Sequence, residues 1–132
     1  MVKSYVIDTN VLIQAPYALQ CFEDNQVILP LVVLEELDGL KKSEGERGAN
    51  ARRVIRFLEK LRGRGDLLKG VELEHGGFLR VESNCVSVML PESLPEDKAD
   101  NRILKVCKGL AEGNVPVVLV TKDQVLRMKA QI

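Results

Sequence analysis

The chain reads as an α/β domain with a central, mainly parallel sheet covered by helices on both faces, a three-layer α/β/α arrangement. Three observations predict it. Short β-rich runs alternate with segments of helical period, which implies crossover connections between parallel strands. The most strand-like run, Pro116 to Val120, is apolar throughout, as a central parallel strand should be. A length of 132 residues, with 45% apolar and 29% charged content, suits one core and one domain spanning 1–132.

Tyr5 to Ile7, led in by Lys3 and Ser4, is the first strand, ended by the turn- and cap-forming run Asp8-Thr9-Asn10. Val11 to Ala15 is helical, Pro16 interrupts, and Tyr17 to Phe22 resumes a helical pattern. Gln26 to Leu29 is the second strand. Pro30 closes it and opens a helix whose Leu31, Val32, Leu34, Leu37 and Leu40 follow a helical period. Lys41 to Gly48, rich in charge and glycine, reads as a mobile loop. Ala49 to Arg62 is the clearest amphipathic helix, with Ala51, Val54, Ile55, Leu58 and Leu61 on one stripe.

Val71 to Glu74 and Phe78 to Glu82 flank His75-Gly76-Gly77 and predict a small β-hairpin insertion near 71–82, with His75 as a solvated turn residue. Pro91 and Pro95 mark a loop between Ser83 and Glu96. Asp97 or a neighbour then caps a helix running to about Glu112, with Gly113 after its end. Pro116 to Val120 is the last strand, and Gln124 to Ile132 begins a final helix.

Net charge is zero, so no global field draws in a polyanion, yet the charges are segregated. Residues 1–40 hold six acids and one base, whereas residues 41–64 hold nine bases and three acids. Lys41, Lys42, Arg47, Arg52, Arg53 and Arg56 in that second stretch either hold a phosphate backbone or form a solvated helix face with its loop. Cys21, Cys85 and Cys107 share no metal-ligand spacing and read as reduced thiols, small core residues of a cytoplasmic protein. The start lacks the apolar segment of a signal peptide, and no apolar run approaches membrane-spanning length. Neither a phosphate-binding Gly-Lys-Ser/Thr loop nor a Gly-x-Ser-x-Gly elbow occurs, which disfavours ATP hydrolysis and acyl transfer.

Asp8, Glu36, Asp100 and Asp123 carry the chemistry. Each falls just after a strand pattern or in the first turns of the following helix. In an open parallel sheet such positions converge on the crevice beyond the carboxyl ends of the strands. Like charges held close need a counter-ion, so these four predict a hard divalent cation and phosphate chemistry on a nucleic acid or nucleotide. Oxygen ligands without histidine or thiolate point to Mg²⁺ or Mn²⁺, one ion or two, and away from zinc. With two ions roughly 3.5–4 Å apart, water itself serves as the nucleophile on a phosphodiester.

Polar neighbours support this reading. Thr9 and Asn10 are expected to orient Asp8, Thr121 to orient Asp123 or touch a phosphate, and Asn101 to assist Asp100. Competing assignments stand beside them: Asn10 as a helix cap, Thr121 as a strand-end residue, Asp8 and Asp123 as turn residues, Asp100 as an answer to the helix dipole. Glu35 and Asp38 lie on the helix carrying Glu36 but face elsewhere, as surface carboxylates.

Val6-Ile-Asp-Thr-Asn-Val-Leu, Leu29-Pro-Leu-Val-Val-Leu-Glu-Glu-Leu-Asp-Gly-Leu-Lys, Asp100-Asn-Arg-Ile-Leu and Val118-Leu-Val-Thr-Lys-Asp-Gln-Val-Leu-Arg resemble, in order, the four motif regions of PIN-domain ribonucleases. The resemblance runs from about Tyr5 to Met128. It is strongest to the bacterial PIN domains that precede PhoH-type ATPase domains. It implies a sandwich around a parallel sheet, Mg²⁺ or Mn²⁺ dependence, and endonucleolytic cleavage of single-stranded RNA. By position it assigns the metal-binding acids to Asp8, Glu36, Asp100 and Asp123, with Asp97 either an auxiliary ligand or a helix cap. Thr121 matches the polar residue before the last acid.

The resemblance also implies that a last helix and edge strand follow Ile132, that the chain is a piece of a longer protein, and that a PhoH-type ATPase domain belongs to the full-length chain. An incomplete sheet edge favours pairing between copies, hence a homo-oligomer. Three other readings share the pattern. One is a toxin-type ribonuclease with a protein antitoxin, another a non-catalytic RNA-binding or assembly module. The third is a phosphoacceptor receiver domain, which needs an acceptor aspartate where the second strand instead ends in Leu29-Pro30.

Overall fold

A computed structural model describes residues 2–74, 76–83, 99–113 and 116–130, with backbone alone for Ala99, Asp100, Gln124 and Val125. The expected turn at His75, the proline-marked loop, Cys85, Asp97 and the end of the last helix lie outside the described residues.

Four strands run parallel: β1 (Ser4–Ile7), β2 (Gln26–Pro30), β4 (Phe78–Glu82) and β5 (Val117–Val120). The short β3 (Val71–Glu72) adds an antiparallel edge, giving the order β3-β4-β2-β1-β5. The helices are α1 (Thr9–Gln14), α2 (Leu31–Leu40), α3 (Gly45–Arg62), α4 (Ala99–Ala111) and α5 (Gln124–Lys129), with a 3₁₀ segment at Pro16–Gln20. Both faces of the sheet are covered. Adjacent Val6 and Ile7 on β1, and Val27, Ile28 and Leu29 on β2, are all fully buried although successive side chains of a strand point to opposite faces.

Helices α1, α2 and α3 pack on one another, and α4 packs on β5 and β2 beside α2 and α5. Tyr5 and Phe22 stack at 4.7 Å between ring centroids and tie β1 to the segment following the 3₁₀ turn.

Four expectations change on inspection of the structure. The hairpin stands at the residues predicted, but its second strand is no appendage: β4 pairs in parallel with β2 and is part of the main sheet. Among the described residues β5 is an edge strand, not a central one, and Val118 is 37% exposed. Its unbroken apolar run reflects the helix packed on it, not two flanking strands. The stretch from Gly45 to Gly48 is helical. A Cβ at Gly48 would lie 1.8 Å from the Ser43 carbonyl oxygen, so this glycine permits close packing rather than motion. Finally, Cys21 is exposed and Cys107 half-buried, so neither is a fully buried core thiol.

Candidate functional site

The strand order dictates where a crevice opens. From β1 the chain proceeds to β2 and β4 on one side, then returns through α4 to place β5 on the other side of β1. The connections therefore diverge between β1 and β5, the position at which open α/β sheets form a binding crevice at their carboxyl ends. Asp8 follows β1 and Thr121 follows β5. The register pairs Ile7 with Val120, and the Asp8 amide continues the ladder by donating to the Val120 carbonyl at 3.0 Å.

Asp8 is 5% exposed and is the N-cap of α1. Its Oδ1 accepts from the Thr9 backbone N–H at 2.7 Å, and its Oδ2 accepts from the Thr121 hydroxyl at 2.7 Å. Neither donor is cationic, and among the described residues no base forms an ion pair with Asp8. A buried carboxylate so placed keeps a lone pair on each oxygen beyond the bond it already accepts.

Thr9 does more than orient Asp8. Its hydroxyl donates to Glu36 Oε1 at 2.7 Å, so one residue holds two carboxylates brought together from separate elements. Glu36 is half-buried on α2, while Glu35 and Asp38 are exposed. Thr121 is the second hub. Its hydroxyl accepts from the Asp123 N–H at 3.0 Å, and its carbonyl accepts the fork of Arg127, with Nε at 3.2 Å and a terminal nitrogen at 2.8 Å. Asp123 Oδ1 accepts from the Leu126 N–H at 3.2 Å, the geometry of a cap on α5.

Asp8, Glu36 and Asp123 thus belong to one network running through Thr9 and Thr121. Asp100 stands in the first turn of α4, its carboxylate outside the described side chains. Asn101 is buried and accepts from Lys129 Nζ at 3.2 Å, bridging α4 and α5. Asn10 is exposed, and its side chain makes no hydrogen bond among the described residues. Among those residues no three acidic, histidine or cysteine side chains close into a ligand cage. The donor set still fits a hard cation, because Mg²⁺ binds through one or two carboxylates and retains waters.

The basic stretch divides by function. Lys41 pairs with Asp38 at 2.6 Å, and Arg52 donates to the Lys41 and Ser43 carbonyls at 2.6 and 3.4 Å, fastening the turn between α2 and α3. Arg53 donates to Asn50 at 2.8 Å, whereas the exposed side chains of Lys42, Arg47 and Arg56 make no hydrogen bond or ion pair among the described residues. Sequence reasoning passed over Asn50, which is 2% exposed and donates to the Ile13 carbonyl at 2.6 Å. It also passed over Arg127. A polar residue inside an apolar stripe was the available signal for Asn50; Arg127 gave none. A cavity of about 190 Å³, walled by Phe22, Phe57, Leu61 and Leu73, contains none of the predicted site residues.

A family model described as PIN domain matches residues 5–132. A protein called Protein PhoH2 from Bacillus subtilis (strain 168) is 47% identical over 137 residues, covering 98% of this chain and 31% of the relative. Proteins of the same name from Thermobispora bispora and Mycolicibacterium smegmatis are each 40% identical, covering 97% and 98% of this chain and 29% and 30% of theirs. The chain therefore spans about a third of the length of these curated relatives. A solved domain of a functionally unknown protein from Methanocaldococcus jannaschii matches with a TM-score of 0.60 at 21% identity, over 98% of this chain and 85% of that one, a likeness of fold.

Proposed function

Because this chain belongs to the PIN-domain family, whose members are generally metal-dependent nucleases, we propose that it is an endoribonuclease that hydrolyses phosphodiester bonds of single-stranded RNA with Mg²⁺ or Mn²⁺. The observation that carries the reading is the pairing of a buried Asp8, unneutralised by any base among the described residues, with Glu36 through the single residue Thr9.

In this reading Asp8, Glu36, Asp100 and Asp123 hold the cation, and Asp97 assists. A bound divalent ion supplies charge neutralisation at the phosphate and a more acidic water. The protein's part is positional. Thr121 and the Thr9 amide fix the two Asp8 oxygens, the Thr9 hydroxyl fixes Glu36, and the Arg127 fork holds the Thr121 backbone. No side chain need attack phosphorus. No helix among the described residues is long and apolar enough to cross a membrane. The greater length of the relatives named PhoH2 supports placing a PhoH-type ATPase domain in the full-length protein.

The test is cleavage of a labelled single-stranded RNA with Mn²⁺, with EDTA, and by Asp8→Asn. Cleavage lost to both chelation and substitution is expected. Cutting that survives EDTA would refute the metal-dependent reading, and RNA binding without cutting would favour a non-catalytic module.

A further inference from the structure

Two cations are fastened to consecutive residues of α1, one directly and one through Asn50, and among the described residues neither is fastened by an acid. Lys122 lies between Thr121 and Asp123, and its ammonium donates to the Gln14 side-chain oxygen. Arg53 donates to Asn50 Oδ1 at 2.8 Å, and Asn50 donates in turn to the carbonyl of Ile13 at 2.6 Å. From this juxtaposition we propose that Lys122 and Arg53 form a phosphate clamp across the C-terminal end of α1, seating the substrate strand on its way to the acids. The proposal rests on reading the site as a nuclease for single-stranded RNA.

Several other cations are held otherwise. Lys41, Arg62, Arg64 and Arg80 pair with Asp38, Glu59, Glu74 and Glu82, Arg52 and Arg127 bind backbone carbonyls, and the half-buried Lys129 joins α4 to α5 through Asn101. Lys122 and Arg53 are exposed and held by neutral amides, so position is set while charge stays uncompensated. Side chains ordered in advance lose less entropy when a ligand arrives. An arginine with one nitrogen engaged still offers further donors of its planar fork to phosphate, and the lysine offers a compact charge.

Placement matches the task. Helix α1 begins at the Asp8 cap and ends six residues later at Gln14, a rise of about 9 Å. A strand whose scissile phosphate lies at the acids would present neighbouring phosphates along that span. The competing role for both cations is to answer the partial negative charge at the end of α1, which would make them stabilisers of the fold alone.

Binding of a fluorescein-labelled oligouridylate, followed by anisotropy in EDTA across a salt series, separates the two. Lys122→Gln and Arg53→Gln should each weaken binding about tenfold, as loss of a charge-assisted contact does. Each should also flatten the slope of log affinity against log salt by about 0.7, the increment for one phosphate on a single strand. Lys122→Arg and Arg53→Lys should restore the slope, and thermal midpoints should stay in place. Unchanged slopes beside normal wild-type binding would overturn the clamp and leave the nuclease reading standing. Weaker binding that only tracks a fall in thermal midpoint would overturn it too. A wild-type chain that binds no oligouridylate at any salt would overturn both.

Discussion

Thr121 and Asp8, 113 positions apart, are joined by a 2.7 Å hydrogen bond from the threonine hydroxyl to Asp8 Oδ2. The same hydroxyl accepts the Asp123 amide, so Thr121 sets the spacing between the ends of β1 and β5. Thr121→Val removes the donor but keeps the shape, leaving the Asp8 oxygen and the Asp123 N–H without that partner. A loss of about 1–3 kcal/mol is expected in urea denaturation, with RNA cleavage reduced about 10–100-fold. Thr121→Ser should retain most of both. Full stability in the valine variant would show that the bond contributes nothing.

Metal addition should stabilise the folded chain. A ligand bound only by the native state adds stability by mass action, about 2.7 kcal/mol at a hundred times its dissociation constant. The thermal midpoint should therefore rise with Mn²⁺ concentration in the wild type and hardly at all in Asp8→Asn or Glu36→Gln. Equal shifts in all three would place the ion elsewhere.

Two glycines should respond oppositely to alanine. At Gly48 the added carbon would meet the Ser43 carbonyl oxygen, and backbone must move, so Gly48→Ala should cost about 1–3 kcal/mol. Around Gly39, inside α2, an added Cβ would meet nothing within 4 Å beyond its chain neighbours and the helix's own backbone, and Gly39→Ala should stabilise by about 0.5–1 kcal/mol. Paired urea titrations read both signs.

Lys41, by its hydrogen bond and then its charge, holds the Asp38 carboxyl below its ordinary value of 3.8. A depressed folded-state value stabilises above the unfolded value, and that contribution fades as pH falls through the folded one. Lys41→Gln should raise the Asp38 midpoint in an NMR titration. Stability at neutral pH should hardly change, because the pair is exposed and screened. An unmoved midpoint would count against the pairing.

The acids at the strand ends stood out because strand and helix patterns locate a sheet's carboxyl edge without any tertiary information. In the structure Asp8 and Glu36 meet through Thr9, and Asp123 joins by its backbone N–H through Thr121. Strand order was not legible. An apolar run such as Val117–Val120 says neither whether a strand lies on each side nor whether both faces are covered, and here Val118 is exposed. Glycine content misled at Gly45 and Gly48, since composition does not distinguish a glycine needed for looseness from one that opens a helix at positive φ, as Gly45 does, or one needed for lack of room, as Gly48 is. Thr9 was assigned to Asp8, yet its hydroxyl turns to Glu36, a pairing between elements that local spacing cannot reveal.

The wiring of the crevice also bears on the order of synthesis. Asp8 is synthesised 113 residues before Thr121, whichever residues flank the two. A partly made copy that ends before β5 holds Asp8 without the hydroxyl that fixes its Oδ2, so this carboxylate gains its full set of partners only when β5 has joined the sheet.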